Sequence, residues 1–328
     1  MAQLNDYLAR EHPGLAAGQV TGELIVGGRS NLTYVITDGV REWVLRRPPL
    51  GHVLATAHDM SREFRVISAL AGTAVPVPGT ILLCPDPDVL GAPFYVMERV
   101  AGTVYRRADQ TAALSPAQRT GLARQLVDVL AELHRIDPAA VGLADFGRPD
   151  GFLARQVRRW GKQLAGSRSR ELPGIDRLLD RLAATVPASP APAIVHGDYR
   201  LDNALVRDGR IAAVLDWEMS TVGDPLTDLG LLLVYWDRMP VLAHELVGGV
   251  GAAHGFPAGG TLAQWYAAAT GADLARLDWY VALGCFKLAV ILEGIHYRYT
   301  QGLTVGDGFQ QVGTLVPPLV ELGLAHVG

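Results

Sequence analysis

The stretch Ile194-Val195-His196-Gly197-Asp198-Tyr199-Arg200-Leu201-Asp202-Asn203-Ala204-Leu205-Val206 decides how the rest of this chain is read. Two apolar runs enclose a core of His, Asp and Asn that suits neither a strand nor a helix, which makes the core a loop. Asp198 and Asn203 stand five residues apart within it. A carboxylate there can accept the proton of an attacking hydroxyl, and a neutral amide oxygen can ligate Mg²⁺ without adding charge. The plainer alternative is that both are turn residues bonded to their own backbone. His196 reads as structural, hydrogen-bonded to the main chain.

A second acidic site follows. Leu215-Asp216-Trp217-Glu218 ends an apolar run, and Asp216 can bind a metal that bridges nucleotide phosphates. In the GDPLTDLG that comes next, Asp224-Pro225 reads as a helix cap and first turn. Asp228 reads as a residue that holds the loop by hydrogen bonding and is not a ligand.

Nearer the start, ELIV, LTYVIT and EWVLRR alternate between residues 23 and 47, separated by GGRSN and Asp38-Gly39. These are turn residues between β-prone runs, the pattern of an antiparallel meander. Backbone N–H groups of the turn Gly27-Gly28-Arg29-Ser30-Asn31 can surround phosphate oxygens. An unliganded hairpin turn is the alternative. Arg46, at the end of WVLR, can hold phosphates while Glu63 on the following helix orients it; solvated charges are the alternative there.

A helix is expected from about 57 to 70, then strands at 81–84 and 94–97, making a small α+β unit that ends near residue 100. Ser115-Pro116 opens a helix with Leu122, Leu126, Val129 and Leu133 on one face. Helices follow at 151–165 and 172–185, short strands at 204 and 211, and a mostly helical remainder from 226.

At 328 residues, 49% of them hydrophobic, the chain has ample material for two lobes. Its net charge of -4 gives no electrostatic case for nucleic acid as a partner. The two cysteines rule out a disulfide framework or a CxxC metal site and suit a reducing compartment. The N-terminus lacks the pattern of a signal peptide, and apolar stretches such as 229–236 are too short to span a bilayer. A cytoplasmic location, with no membrane partner, is the expectation.

HGDYRLDN together with LDWE resembles the catalytic loop and metal motif of the aminoglycoside phosphotransferase and choline kinase superfamily. The likeness covers almost the whole chain. It implies a protein-kinase-like α+β fold, with a small β-rich N-terminal lobe over residues 1–100, a hinge at about 97–101 and a larger, mainly helical lobe over 102–328. It implies ATP and Mg²⁺ as cofactors, Asp198 as catalytic base, and Asn203 and Asp216 as metal ligands. By the same likeness Gly28, Arg29, Ser30 and Asn31 face the nucleotide, Arg46 contacts phosphate and pairs with Glu63, and Met97, Glu98 and Val100 form the adenine-cradling hinge. GGRSN is shorter than the protein-kinase glycine loop, Arg46 stands where those enzymes have Lys, and LDWE replaces DFG. No APE motif is present, which argues against protein substrates.

VLRRPPLGHVLATAHDMSREFRVISAL and ILEGIHYR are similar to the phosphotransferase-like domain fused to, or encoded beside, acyl-CoA dehydrogenases. That similarity implies a hydroxyacyl-CoA acceptor and a functional link to such a dehydrogenase. An aminoglycoside acceptor is the alternative, and a nucleotide-binding pseudokinase the non-catalytic one. From Arg238 to Gly328 six acidic residues face four basic ones, a near balance unlike the acidic cleft that polycations call for. Lys287 and Arg298 can serve the phosphates of an acyl-CoA. Trp236, Trp265, Tyr266, Trp279, Tyr280, Tyr297 and Tyr299 can cage a quaternary ammonium, although core packing explains aromatics at these spacings as well. Gly294, on a helix with Glu293 and His296, hints at a close approach.

Overall fold

Five antiparallel strands carry the first part of the chain: β1 (Thr21–Leu24), β2 (Leu32–Thr37), β3 (Glu42–Arg47), β4 (Thr80–Cys84) and β5 (Phe94–Glu98), in the order β1-β2-β3-β5-β4. The structure is a computed structural model that describes residues 1–25, 31–49, 59–242, 249–303 and 308–328. Gly39 closes the β2–β3 turn at φ +86°, while the Asp38 carboxylate accepts the N–H groups of Val40 and Arg41. Alternation along β3 then divides its side chains between the two faces. Trp43 and Leu45 join Ile36, Phe94 and Val96 in a core completed by Leu4 and Leu8 of α1 (Ala2–Glu11). The sequence reading did not anticipate α1. Arg46 faces the other way, toward α2 (Met60–Leu70), which Asp59 caps by accepting from Ser61 and Arg62 at 3.0 and 3.1 Å. The expected helix start at 57 lies outside the described residues. A short α3 (Pro87–Leu90) leads into β5.

The chain forms two compact units, residues 1–102 with 212–220 and residues 103–211 with 221–328. Residues 212–220, placed by the linear reading in the second lobe, thus pack with the first. In the second unit, α4 (Pro116–Arg135) begins with a reciprocal capping box: Ser115 Oγ accepts the Gln118 N–H, and Gln118 Oε1 accepts the Ser115 N–H. Next come α5 (Phe152–Ser167), α6 (Ile175–Ala184), β6 (Ala193–Val195), β7 (Ala204–Arg207), β8 (Arg210–Val214) and β9 (Thr221–Gly223). Strands β6 and β9 pair, as do β7 and β8. The turn between β7 and β8 uses Asp208 and Gly209 at φ +52° and +72°, the left-handed pair that a tight two-residue hairpin requires.

The remaining helices are α7 (Leu226–Asp237), α8 (Met239–Leu242), α9 (Gly259–Thr270), α10 (Leu277–Thr300) and α11 (Val316–Val327). Helix α10 packs on α5, α6, α7 and α11. It is long and apolar enough to cross a membrane, with a mean hydropathy of 1.3, but 78% of that window is buried inside the unit, as in a core helix. Each unit encloses one cysteine, Cys84 at the end of β4 and Cys285 in α10. Burial pushes the Cys285 thiol up to about 12.

Helix α7 matters most for the loop that follows β6. A Cβ at Gly230 would lie 2.6 Å from the backbone carbon and oxygen of Tyr280, so α7 and α10 touch main chain to side chainless carbon. Two residues earlier stands Asp228, fully buried. Its Oδ2 accepts the His196 N–H at 2.7 Å and its Oδ1 the Gly197 N–H at 2.8 Å. His134 Nε2 lies 3.3 Å from the same carboxylate, and its Nδ1 is 2.7 Å from the Tyr266 hydroxyl. Burial pushes this carboxyl upward, but His134, the charge of His196 and the His196 N–H outweigh it and hold it below the ordinary range.

Two outcomes are expected. Gly230→Ala should force α7 off α10 and cost about 1–3 kcal/mol, as overpacking does; an unchanged Tm would contradict the close crossing. Asp228→Asn should cost about 1.5–3 kcal/mol at pH 7, the range for hydrogen bonds to a charged group. Because the folded-state carboxyl is depressed, the wild-type advantage is complete above the unfolded carboxyl value of about 3.9, declines as pH falls below it, and is lost once pH passes below the lower folded-state value. Urea titrations of both proteins from pH 7 to pH 3 measure this, and a gap that does not narrow would refute the assignment.

Candidate active site

In the first unit the chemistry gathers around Arg46. Its Nη1 lies 3.0 Å from Glu63 Oε1 and its Nη2 3.1 Å from Asp216 Oδ1. The strand register sets Tyr95 directly across from Arg46, and the Tyr95 hydroxyl and the Trp217 N–H both favour the ionised Glu63. Burial nevertheless dominates and raises the Glu63 carboxyl, with Asp216 adding repulsion and Arg46 opposing it. For Arg46, burial works against the cation, but Glu63, Tyr95 and Asp216 more than offset it and keep the guanidinium charged. Asp216 is 31% exposed on its side chain and adopts φ +66°, ψ 61°. This left-handed conformation is uncommon for a residue with a Cβ and costs of order 1–3 kcal/mol.

Other residues singled out in the sequence fall around this cluster. Asn31 is buried, and its amide donates to Glu218 Oε2 at 3.0 Å, tying the residue before β2 to LDWE. Gly28, Arg29 and Ser30 lie outside the described residues. Met97 is buried and lines one pocket with Arg46, Glu63, Tyr95 and Asp216. Glu98 closes the strand, its N–H on Gly79 O at 2.7 Å and its Oε2 accepting the Gly79 N–H at 3.3 Å. Val100 is half-buried beyond the strand end.

In the second unit the loop after β6 is fixed from behind. Gly197 takes φ +85°, a conformation that favours glycine. Its N–H is held by Asp228 and its carbonyl accepts from Lys287 of α10. His196 is fully buried, and its Nδ1 accepts the Asp198 N–H at 3.2 Å. Asn203 Nδ2 donates both to the Asp198 carbonyl at 2.8 Å and to Asp198 Oδ2 at 3.0 Å. With its nitrogen so engaged, the amide turns its oxygen away from Asp198. The short 3₁₀ turn Leu201–Asn203 makes this return geometrically possible.

Cations surround Asp198. Arg200 Nε lies 3.8 Å from its Oδ2, and the Arg200 guanidinium stacks 4.4 Å from the Tyr235 ring centroid. Burial pushes the Asp198 carboxyl up, but Arg200, then Lys287 and His196, and the Tyr235 hydroxyl outweigh it and keep it below the usual range. Lys287 is itself pushed down by burial, though Asp198 and Asp228 support its charge.

Three of these contributors were not visible as such in the sequence. Lys287, which the sequence offers with Arg298 as a cation able to serve an acyl-CoA's phosphates, donates to the Gly197 carbonyl and sits 5.6 Å above the Trp160 ring. Tyr235 carried no signal beyond helical spacing, and Arg200 only its place between Asp198 and Asn203. Trp236, Tyr266, Trp279 and Tyr280 are all buried, Tyr280 donating to Asp224 Oδ2 at 2.9 Å. They are core, not a cage. Asp224 also accepts the Leu226 N–H at 3.0 Å, as a first-turn cap should. At Gly294 a Cβ would meet nothing closer than 3.8 Å; the tight spot is Gly313, against His296 and Arg170, where Arg170 and Ser169 hold Glu293.

With this geometry in hand, comparison with known proteins is informative. Residues 21–280 match the phosphotransferase enzyme family. Human acyl-CoA dehydrogenase family member 11 is 35% identical over 305 residues, which is 90% of this chain and 39% of the human protein. Mouse acyl-CoA dehydrogenase family member 10 is 33% identical over 98% of this chain and 31% of its own length. The chain therefore spans well under half the length of these curated relatives. A solved Ralstonia eutropha structure, provisionally assigned as an aminoglycoside phosphotransferase, superposes with a TM-score of 0.84 at 34% identity, covering 99% of this chain and 97% of the other. The GDP and kanamycin complex of APH(2″)-IIIa gives a TM-score of 0.67 at 18% identity over 99% of each chain, a likeness of fold. A match across most of its length, on a two-lobed kinase-like α+β fold, places the chain in the phosphotransferase enzyme family.

Proposed function

We propose that this protein is an ATP- and Mg²⁺-dependent kinase that transfers the γ-phosphate to the hydroxyl of a small molecule. The preferred acceptor is a hydroxyacyl-CoA. One observation carries the reading: the Asp198 carboxylate, which Arg200, Lys287 and His196 hold below its ordinary range against burial, accepts from Asn203 at 3.0 Å on a loop anchored by Asp228 and Lys287. A charged carboxylate with fixed direction is what a proton acceptor for an alcohol requires.

The donor set suits Mg²⁺. Asp216 offers a partly exposed carboxylate and Asn203 an amide oxygen freed by its nitrogen's bond to Asp198, both hard oxygens. Among the described residues no cluster of three or more His, Cys, Asp or Glu could hold a metal alone, which suits an ion that arrives with nucleotide phosphates. When bound, Mg²⁺ neutralises charge on the phosphates. Asp198 accepts the acceptor's proton as its hydroxyl oxygen bonds to the γ-phosphorus, the bond from that phosphorus to the bridging oxygen breaks, and ADP leaves. Arg46, oriented by Glu63, contacts phosphate, and Met97, Glu98 and Val100 take the adenine. The names of the curated relatives support the acyl-CoA choice, and the charge balance after Arg238 speaks against a polycation.

Asp198→Ala should slow acceptor-dependent ADP release by roughly 10²–10⁴-fold while the Tm rise with Mg·ATP persists. Near-normal turnover would sink the base assignment. Asp216→Asn should raise the Mg²⁺ needed for half-maximal Tm shift with ATP by more than the ~10-fold typical of losing an outer-shell partner; an unaltered Mg²⁺ titration would remove Asp216 from the metal site.

A further inference from the structure

A buried carboxylate is costly unless a basic group meets it. Among the described residues four carboxylates are buried, and three have such a partner. Glu63 has Arg46 at 3.0 Å, Asp228 has His134 at 3.3 Å and Glu293 has Arg170 at 2.9 Å. The fourth, Asp224, is 1% exposed, and no Lys, Arg or His among the described residues comes within ion-pair range of it. Its Oδ1 accepts the Leu226 N–H and its Oδ2 the Tyr280 hydroxyl. Burial raises its carboxyl all the same, against the Tyr280 and Ser189 hydroxyls, the Leu226 N–H and the charge of His134. A carboxylate has about four lone-pair sites, so room remains on it for a further donor.

Asp224 also lines a cavity of about 340 Å³, a volume within the range of small-molecule pockets. The walls come from three segments of the second unit: residues 149–154 where α5 begins, residues 186–192, and residues 223–224 at the end of β9. Pro149, Pro187, Pro190 and Pro192 give these walls apolar rings and no N–H donor. The segments are held firmly. Arg155 donates to the Arg148 and Asp150 carbonyls and fixes the turn before α5. The Phe152 ring takes the space that a Cβ at Gly223 would need, 2.6 Å away. Asp150, exposed at the rim, stands just ahead of α5, where its charge offsets the partial positive charge of that helix end. Asp224 is then the charge left unmatched. The cavity lies apart from Asp198: Gly223 pairs with Ala193 at the start of β6, whereas the loop that carries Asp198 leaves the other end of that strand.

We propose that this cavity binds a small organic cation, an ammonium group on a short apolar body, with the ammonium on Asp224 and the body against the prolines. Such a ligand supplies the donors that the prolines lack and gives Asp224 the partner that the other three buried carboxylates have. An anion would face Asp150 and Asp224 together and be repelled. A neutral molecule of the same shape would leave Asp224 unmatched. The site is additional to phosphoryl transfer and uses neither its nucleotide nor its acceptor.

Benzylammonium chloride is the probe, titrated into the full chain at pH 7 and constant ionic strength. Saturation-transfer NMR should show saturable binding, and the Tm should rise with ligand, as mass action requires. Benzyl alcohol and phenylacetate keep the ring without the cation and should bind at least about tenfold more weakly. Asp224→Asn keeps a capping side chain and an oxygen for Tyr280, and should weaken benzylammonium by the same factor. Ala154→Leu fills the cavity without touching the carboxylate and should abolish binding. Asp150→Asn, at the exposed rim, should weaken it by no more than about fivefold. No binding by the wild type, benzyl alcohol bound as tightly as benzylammonium, or unchanged binding by Asp224→Asn would each overturn the proposal. Should Asp224→Asn fail to fold, Ala154→Leu decides alone, and binding retained in it removes the ligand from this cavity. None of these measurements involves phosphoryl transfer, so they stand or fall independently of the kinase reading.

Discussion

Two hydrogen bonds to one carboxylate set the geometry of the loop after β6. The backbone N–H groups of His196 and Gly197 belong to no sheet or helix ladder, and without partners they would be costly to bury. Asp228 satisfies both at once, one oxygen each. That requires α7 to sit at a fixed height behind the loop. The absence of a side chain at Gly230 lets α7 settle against α10, and α10 in turn sends Lys287 to the carbonyl of Gly197. Helix packing is thereby converted into the direction of a carboxylate three residues from the nearest strand.

The first unit solves a different problem, keeping a cation inside a sheet-and-helix sandwich. Arg46 is almost fully enclosed, and two carboxylates share it. Such a buried arrangement contributes little net stability, because desolvation of the ions offsets their attraction. Its value lies in direction. Glu63 is enclosed and raised by burial, while Asp216 is partly open to solvent and in a strained backbone conformation. The inner partner is enclosed and the outer one is open to solvent.

What could be read in advance followed the strength of local signals. The β2 and β3 strands, the Ser115-Pro116 cap and the Asp208-Gly209 turn all depend on residues within a few positions of one another, and all are present. Asp228 was legible as a loop-holding residue because an Asp inside a helix start has few other uses. The misses were long-range or composition-poor. Helix α1 has only Leu4 and Leu8 to mark its buried side. Lys287 lies 90 residues from Gly197, and no local pattern distinguishes a lysine that meets a carbonyl from one that meets solvent. The bond from Asn31 to Glu218 likewise spans 187 positions and carries no local signal.

The placement of the two cysteines has a practical side. Each thiol is buried in a different unit, Cys84 at the end of β4 and Cys285 inside α10, where burial disfavours the reactive thiolate of Cys285. Neither is a target for oxidants while the fold is intact. Each becomes reactive only when its own surroundings open, so the chain carries a separate, native chemical clock for the loosening of each half. The order in which the two sulfurs become alkylated under mild denaturant would tell which half gives way first, without a label or a substitution.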